Sequence, residues 1–483
     1  MSLARAIAWN TSVQILGKVA STALGIMIVG LMTRQLGTEG FGAYSTANAF
    51  LQVFALLLDL GLNVTLVALL GEHADDKKYE KRCTSALFTL RIVMAFFILG
   101  IIAPAVAIAS PYPLQLKLAI IALTGSFIFP SLNQVVVGTQ QRHLKMTMAA
   151  IAENAGRIVA LVGLLLAQTM GWSLVPIMWF ISLAGFTNFF LNYLSARQYA
   201  DFHWNWDPEF WKMALKRSWP IGLSIAFGLA YFKADTLILS FVRPQAEVGI
   251  YGAAYRVLEI LITIPFMYAG VLLPILSHTY AKKDYEKFKK IVTNSIDVMI
   301  VLSLPMMAGT LILGERVMEL VAGPEFIQSG RVLWILIIAV AAIYLNTIFS
   351  HIVVAIDKQR KMIPTYLAVA IAAVAGYLLL IPTYGIWAAA WLTVASEVTV
   401  GIGSLMIANQ AIKTEFKPRA GMTSIGATLF MSIIVWITRQ QFVLLPITLG
   451  IISYGIALYL FGGIKKELLT NLLKAKTINP PLN

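Results

Sequence analysis

Residues 9–33, with the sequence WNTSVQILGKVASTALGIMIVGLMT, decide the fold class of this chain. The stretch exceeds the ~20 apolar residues with which a helix crosses a ~30 Å hydrocarbon core. Its single charge, Lys18, lies about nine residues from the start, roughly 14 Å into the helix at ~1.5 Å per residue. A run this long with a lysine at mid-depth predicts a membrane span and not a cleaved signal peptide.

The composition of the whole chain agrees with this first span. Of 483 residues, 59% are hydrophobic and only 12% are charged, whereas a soluble protein carries about 25% charged residues. This excludes a soluble enzyme, because the apolar excess must face lipid. The single cysteine, Cys83, excludes a disulfide framework and any cysteine-based zinc site.

Similar apolar stretches recur from end to end, and their number predicts an all-α integral membrane protein with 14 transmembrane helices. The predicted spans are 9–33, 43–70, 84–109, 116–139, 146–169, 172–196, 218–242, 248–279, 291–313, 331–355, 363–383, 385–411, 421–438 and 442–461.

The net charge of +14 reports orientation. If the N-terminus is placed inside and the spans alternate, most lysines and arginines fall in cytoplasmic loops, as the positive-inside rule requires. We therefore predict a multi-pass protein of the cell (inner, cytoplasmic) membrane with both termini cytoplasmic. The basic charge then needs no nucleic-acid partner.

Two segments of the chain repeat each other. GTEGFGAYSTA at 37–47 parallels PQAEVGIYGAA at 244–254 at a constant offset. Six spans per repeat predict two six-helix lobes related by a pseudo-twofold along the membrane normal, with a substrate cavity between them. The predicted domains are an N-terminal lobe (1–200), an interfacial linker rich in tryptophan (201–217), a C-terminal lobe (218–412), and helices 13–14 with a cytoplasmic tail (413–483).

Several stretches resemble one transporter family in their order and spacing. These are 30–47, 58–62, 242–260, 304–326 and 380–390. They are similar to the polysaccharide-flippase branch of the multidrug/oligosaccharidyl-lipid/polysaccharide exporter superfamily. The resemblance implies a transporter and not an enzyme, which moves a polyprenyl-pyrophosphate-linked oligosaccharide from the cytoplasmic to the outer leaflet by alternating access. An O-antigen repeat unit of lipopolysaccharide or an exopolysaccharide unit is the implied cargo, with a polymerase and glycosyltransferases as partners.

Ionisable residues inside spans are candidates for function, because a charge at membrane depth is costly and marks a cavity or a pathway. Spans 1 and 2 also carry polar stripes at helical spacing, which line either a wet cavity or a dry helix interface. The ionisable residues are Lys18, Asp59, Arg91, Glu153, Arg157, Lys233, Asp235, Arg256, Glu259, Asp297 and Glu397.

Cations among them are the predicted contacts for a pyrophosphate, for which arginine offers a bidentate fork. The predicted substrate-binding residues are Lys18, Arg91, Arg157 and Arg256, with Asn10, Gln14, Asn48 and Gln52 from the two polar stripes. Glu153 and Glu259 stand four and three residues from the last two arginines, so intrahelical ion pairs are the alternative. The lipid-linked peptidoglycan precursor flippases of this family cluster basic residues on helices 1 and 2, whereas span 2 here offers polar and acidic ones.

The acids suggest a coupling ion, Na⁺ or H⁺. We predict Asp59, Asp235, Glu397 and Thr393, one turn before Glu397, as cation-coupling residues, since related exporters place cation sites among such helices. The alternative is a structural role, with each acid paired to Lys233 or to a neighbouring helix.

Motifs for other functions are missing from the sequence. Ser12 stands where a Walker loop needs glycine, and the five histidines lie scattered over different segments, so we predict no cofactor, metal centre or ATP site. A cation-coupled multidrug exporter of the same superfamily is the first alternative. A membrane glycosyltransferase or polymerase is the second, although such enzymes usually carry a large catalytic loop outside the membrane.

Overall fold

The stretch at 9–33 lies in the first half of a long helix. A computed structural model describes residues 3–59, 61–72, 76–143, 145–198, 200–412 and 419–463. Each element of these residues is helical, including a π-helix (Phe96–Ile102) and two short 3₁₀ helices (Pro324–Phe326 and Gln359–Met362). The α-helices are α1 (Leu3–Asp59), α2 (Leu62–Glu72), α3 (Lys77–Ala95), α4 (Ala103–Ala109), α5 (Leu114–Leu123), α6 (Gly125–Arg142), α7 (Thr147–Thr169), α8 (Leu174–Ala196), α9 (Pro208–Val242), α10 (Gln245–Leu261), α11 (Thr263–Ala281), α12 (Tyr285–Ala322), α13 (Ile327–Ala355), α14 (Ile363–Tyr384), α15 (Ile386–Ile412), α16 (Arg419–Thr438) and α17 (Leu444–Leu460).

The all-helical architecture follows from the lipid solvent. In hydrocarbon each backbone amide and carbonyl must find its partner inside the protein, and a helix does this within one segment. Eleven helical stretches of the described residues are long and apolar enough to cross a membrane. The prediction of an all-α, multi-pass membrane protein is therefore confirmed.

The number of crossings stays a prediction. One of the eleven stretches, Leu16–Asp59, covers parts of two predicted spans, and α17 is a shorter apolar helix of 17 residues. Gly37 interrupts α1 between those two spans with φ 64° and ψ −173°. Only glycine adopts this backbone conformation without strain.

The described residues pack into two compact units. The first draws on 1–253, 321–326 and 366–389, and the second on 254–320, 327–365 and 390–483. The predicted lobes, linker and terminal pair stay predictions.

Glycines allow the helices of the first unit to pack closely. A Cβ on Gly156 of α7 would lie 2.6 Å from the carbonyl oxygen of Ala184 in α8. A Cβ on Gly163 would lie 2.3 Å from the ring of Phe180. Small residues of this kind drive helix association in lipid, where apolar burial alone offers no gain.

The two repeated motifs contact each other inside this unit. A Cβ on Gly42 would lie 1.8 Å from the carbonyl oxygen of Gln245, and a Cβ on Gly249 would lie 1.9 Å from that of Thr38. Gly42 corresponds to Gly249 in the repeat, and Thr38 corresponds to Gln245. If the two motifs are exchanged, the first contact becomes the second and the second becomes the first. Such reciprocal contacts are the signature of a local twofold axis.

The linker at 201–207 is tied to the start of α3. Lys81 and Arg82 form ion pairs with Asp201 (2.7 Å) and Asp207 (2.6 Å), and the amide of Asn205 donates to Thr89 Oγ1 at 3.0 Å. These hydrogen-bonded cations lower the pKa of both aspartates below the usual range. The linker therefore forms a fixed strap on α3.

Aromatic side chains cover the outside of this strap. Trp204 and Trp206 are stacked with ring centroids 6.4 Å apart and are 61% and 59% exposed. Exposed tryptophans are typical of the headgroup level of a bilayer, as the sequence predicts for this segment.

The second unit is also held by side-chain hydrogen bonds between helices. Tyr454 of α17 donates to the carbonyl oxygen of Val301 in α12 at 2.7 Å, and its hydroxyl lies 2.8 Å from Ser424 Oγ of α16. Tyr344 of α13 donates to the carbonyl oxygen of Leu261 at 3.0 Å. Such bonds satisfy polar groups that lipid cannot.

Candidate functional site

The polar stripe of span 1 packs against α7. Gly17 permits a close approach, since a Cβ there would lie 2.7 Å from Ala150 Cβ, and Asn154 Nδ2 donates to the carbonyl oxygen of Gly17 at 3.1 Å. Next to this contact, Lys18 and Ser21 of α1 face Glu153 and Arg157 of α7. These four residues form a group that we call the α1–α7 cluster.

Glu153 is the centre of the α1–α7 cluster. Its Oε1 accepts from Ser21 Oγ at 2.6 Å and lies 3.3 Å from Lys18 Nζ and 3.8 Å from Arg157 Nη2. Arg157 Nε donates to Ser21 Oγ at 2.5 Å. Arg157 is thus held mainly by a hydroxyl of α1, and its intrahelical ion pair is the longest contact of the group.

The charge of the α1–α7 cluster favours anions. Two cations share one carboxylate, and the side chains of Lys18, Arg157 and Glu153 remain 43%, 37% and 34% exposed. Lysine offers three donors and arginine five, so most of the N–H groups are not used by Glu153 and Ser21. A group with a net positive charge and free donors is suited to hold a phosphate.

Arg91 and Asp59 form a second, more deeply buried group in the first unit. Arg91 is 1% exposed, and its Nη2 lies 2.8 Å from Asp59 Oδ1. Its Nη1 donates to Ser131 Oγ at 3.0 Å. Among the described residues no hydrogen bond or ion pair joins this pair to the α1–α7 cluster.

Residues predicted from the polar stripes are placed as follows. Gln14 is exposed, and Asn48 is half-buried. The Oε1 atom of Gln52 is buried without a hydrogen-bond partner in the described residues. The side chain of Asn10 lies outside the described part of the chain.

Arg256 has the intrahelical partner that the sequence offered as the alternative. Its Nη1 donates to Glu259 Oε2 at 2.7 Å, and the two side chains are 26% and 24% exposed. An arginine whose charge is matched by a carboxylate one turn away is less available to a substrate than Lys18 is. Its role in substrate binding stays a prediction.

Asp235 of α9 is fully buried in the first unit. Its Oδ2 accepts from the hydroxyl of Tyr251 at 2.5 Å, and its Oδ1 accepts from the amide of Thr236 at 2.5 Å. Lys233 is also buried and acts on Asp235 electrostatically. These contacts form a buried hydrogen-bond network, and the cation-coupling role of Asp235 stays a prediction.

Glu397 and Thr393 of α15 are buried in the second unit, 4% and 2% exposed. Glu397 accepts a hydrogen bond from the side chain of Asn346 in α13. Asn346 Oδ1 in turn accepts from Ser404 Oγ at 3.0 Å. Within the described residues no group of three or more His, Cys, Asp or Glu side chains could hold a metal ion.

Sequence reasoning named the cations Lys18, Arg91 and Arg157 as candidates, but it missed several side chains that bond to them or to the predicted acids. Ser21 follows Lys18 by three residues in span 1, on the same helical face, and Glu153 stands four residues before Arg157, so a signal for both existed. Ser131 and Asn346 gave no such signal, because the contacts they make join helices that are distant in sequence.

Comparison with known proteins identifies the family. Residues 7–280, more than half of the chain, match the family described as polysaccharide biosynthesis protein, and residues 220–383 match the MatE family. A relative named "Probable flippase AglR" from Haloferax volcanii is 22% identical over 341 residues, which cover 68% of either chain.

Two solved structures share the fold. Lipid II flippase MurJ in an inward closed conformation has a TM-score of 0.75 at 15% identity and covers 94% of this chain and 100% of its own. An inward-facing multidrug resistance MATE family transporter has a TM-score of 0.68 at 16% identity, covering 83% and 94%. The chain therefore shares its fold with a flippase and a transporter, and it belongs to the family described as polysaccharide biosynthesis protein.

Proposed function

We propose that this chain flips a polyprenyl-pyrophosphate-linked oligosaccharide, an O-antigen or exopolysaccharide repeat unit, from the cytoplasmic to the outer leaflet by alternating access. The α1–α7 cluster is the observation that carries the proposal. Lys18 and Arg157 converge there on a single carboxylate and keep free donors for a pyrophosphate. The family and the relative named a flippase support a lipid-linked glycan as cargo.

The proposed location is the cell inner membrane, with both termini on the cytoplasmic side. The loops rich in lysine and arginine support this orientation. Glycosyltransferases that build the oligosaccharide and a polymerase that consumes it on the other side are the proposed partners.

A cation gradient is the proposed source of energy, with H⁺ or Na⁺ bound at Asp235 or Glu397. Each carboxylate is buried within its own unit and hydrogen-bonded to a neutral side chain, Tyr251 or Asn346. Lys233 also acts electrostatically on Asp235, so Glu397 is the stronger of these two candidates. Asp59 is the weaker candidate, because Arg91 already neutralises it.

The test uses three variants of the α1–α7 cluster in cells that depend on this chain for surface glycan. Lys18→Ala and Arg157→Ala each remove a cation, and we expect both to abolish surface glycan while the protein still inserts. Glu153→Gln is the matched control, since it breaks the same ion pairs but keeps both cations. We expect it to retain glycan.

Four results would contradict the proposal. Normal glycan in both alanine variants would discard the anion site, and equal loss in Glu153→Gln would assign the ion pairs a structural role only. Purified protein in vesicles that moves no lipid-linked oligosaccharide under either an H⁺ or a Na⁺ gradient would reject the flippase itself. Drug extrusion without loss of glycan on deletion would instead favour the multidrug exporter.

A further inference from the structure

The turn between α11 and α12 carries a high density of positive charge. Five lysines lie between 282 and 290 against two acids, Asp284 and Glu286. Lys282, Lys283, Lys287 and Lys290 are exposed, whereas Phe288 is 2% exposed. The lysines therefore cover the outside of a segment whose aromatic residue is anchored in the protein.

Local structure holds this segment in place. Lys283 adopts a left-handed conformation with φ 57°, which reverses the chain after α11. Asp284 caps α12 by accepting from the amide of Lys287 at 3.1 Å. The ring of Phe288 packs against Tyr280 of α11 with centroids 5.5 Å apart. The first turns of α12 are thus a fixed platform.

One face of this platform borders an open surface cavity of about 630 Å³. The described residues that line it are Glu286, Lys287, Lys290, Ile291 and Asn294, which recur at the three- and four-residue spacing of a single helical face. A cavity of this volume is within the range of small-molecule sites. It is large enough for a phospholipid headgroup.

The two lysines of the cavity are free to bind an anion. Within the described residues neither Lys287 nor Lys290 has an acidic partner within 4 Å, because Glu286 pairs instead with Lys289 at 4.0 Å. The cavity lies where the predicted span of α12 begins at 291, and Ile291 is the apolar residue among those that line it. Two cations beside an apolar residue at a membrane boundary match a lipid with a charged headgroup.

We propose that this cavity binds the phosphate of an anionic glycerophospholipid of the surrounding leaflet. Lys287 and Lys290 hold the phosphate, Asn294 and Glu286 meet hydroxyl groups of the headgroup, and the acyl chains follow α12 from Ile291 into the bilayer. The site belongs to the second unit and does not depend on the proposed cargo.

The experiment measures phosphatidylglycerol binding to the delipidated full chain in detergent by native mass spectrometry, with phosphatidylcholine as the neutral comparison. Lys287→Gln/Lys290→Gln should weaken phosphatidylglycerol binding roughly 25-fold, since each of the two lysines near an anionic surface contributes about a fivefold factor. The matched control, Lys282→Gln/Lys283→Gln, removes the same charge from the same turn outside the cavity. It should leave this binding nearly unchanged.

Three results would overturn the proposal. Equal loss in both double variants would mean unspecific attraction to surface charge, and equal binding of the two lipids would remove the need for an anion. Competition by inorganic pyrophosphate as strong as that by phosphatidylglycerol would assign the cavity to a pyrophosphate head instead. All four lysines are exposed, so we expect the thermal midpoint without lipid to be the same in both variants.

Discussion

The reciprocal contact of Gly42 and Gly249 makes a sharp prediction about a single methyl group. In Gly249→Ala the new Cβ would stand 1.9 Å from the carbonyl oxygen of Thr38. An ordinary contact between these atoms is about 3.4 Å, so α1 and α10 must move apart by roughly 1.5 Å. The obstacle is backbone, which cannot swing aside as a long side chain can.

The expected cost follows from this displacement. Overpacking of a tight contact costs about 1–3 kcal/mol, and we expect the upper part of that range because the neighbours of Gly249 lose their contacts too. Gly42→Ala should cost a similar amount, since its Cβ would meet the carbonyl oxygen of Gln245 at 1.8 Å. The double variant should cost less than the sum, because one separation of the helices relieves both clashes.

Thermal unfolding of purified protein, with surface glycan in cells as a second readout, measures these effects. Gly270→Ala is the matched control, because a Cβ at this position of α11 meets nothing within 4 Å. It should be neutral or stabilising, as alanine is favoured over glycine in a helix by about 1 kcal/mol. Stability of Gly249→Ala equal to that of Gly270→Ala, or strict additivity in the double variant, would refute the close symmetric contact.

Two further predictions concern ion pairs of the first unit. Asp59→Asn should destabilise the protein by about 2–3 kcal/mol in thermal unfolding, because Arg91 is left buried without a counter-charge and has only neutral acceptors, the amide oxygen at position 59 and Ser131. Glu315→Gln, which breaks an exposed pair, is the control and should cost under about 1 kcal/mol; equal costs would contradict the argument. For the strap, the lowered pKa of Asp207 means that its stabilisation is complete above the ordinary aspartate pKa of about 3.9 and is lost as the pH falls below it. Hydrogen exchange of 201–211, corrected for intrinsic rate, should therefore rise between pH 6 and pH 3, and Asp207→Asn at pH 6 should show the same rise; slow exchange in either case would speak against the strap.

Much of the fold could be predicted from residue pattern. Apolar length predicted an all-helical membrane protein, and the repeat at 37–47 and 244–254 was visible in the sequence, whereas the contact between its two copies was not predicted. Helical spacing placed Lys18 on a polar face, and this face does meet other polar residues. These features depend on neighbours along one helix, so they are readable without knowing the partner helix.

Pairing between helices could not be predicted in the same way. Asp59 and Arg91 were assigned separate predicted roles, cation coupling and substrate binding, yet their side chains lie 2.8 Å apart. Glu153 was regarded as a partner for Arg157, whereas its closest contact is Ser21 on another helix. Helical periodicity determines which face a residue occupies, but it contains no information about which helix lies opposite.

Membrane insertion was therefore evident from apolar composition and residue spacing alone, because the transfer of each span into lipid sums over its own residues. The partners of the charges were decided only by the tertiary structure. Ion pairs and hydrogen bonds depend on separations of about 3 Å between atoms, and those separations are set by how closely small residues such as Gly17 allow two helices to approach.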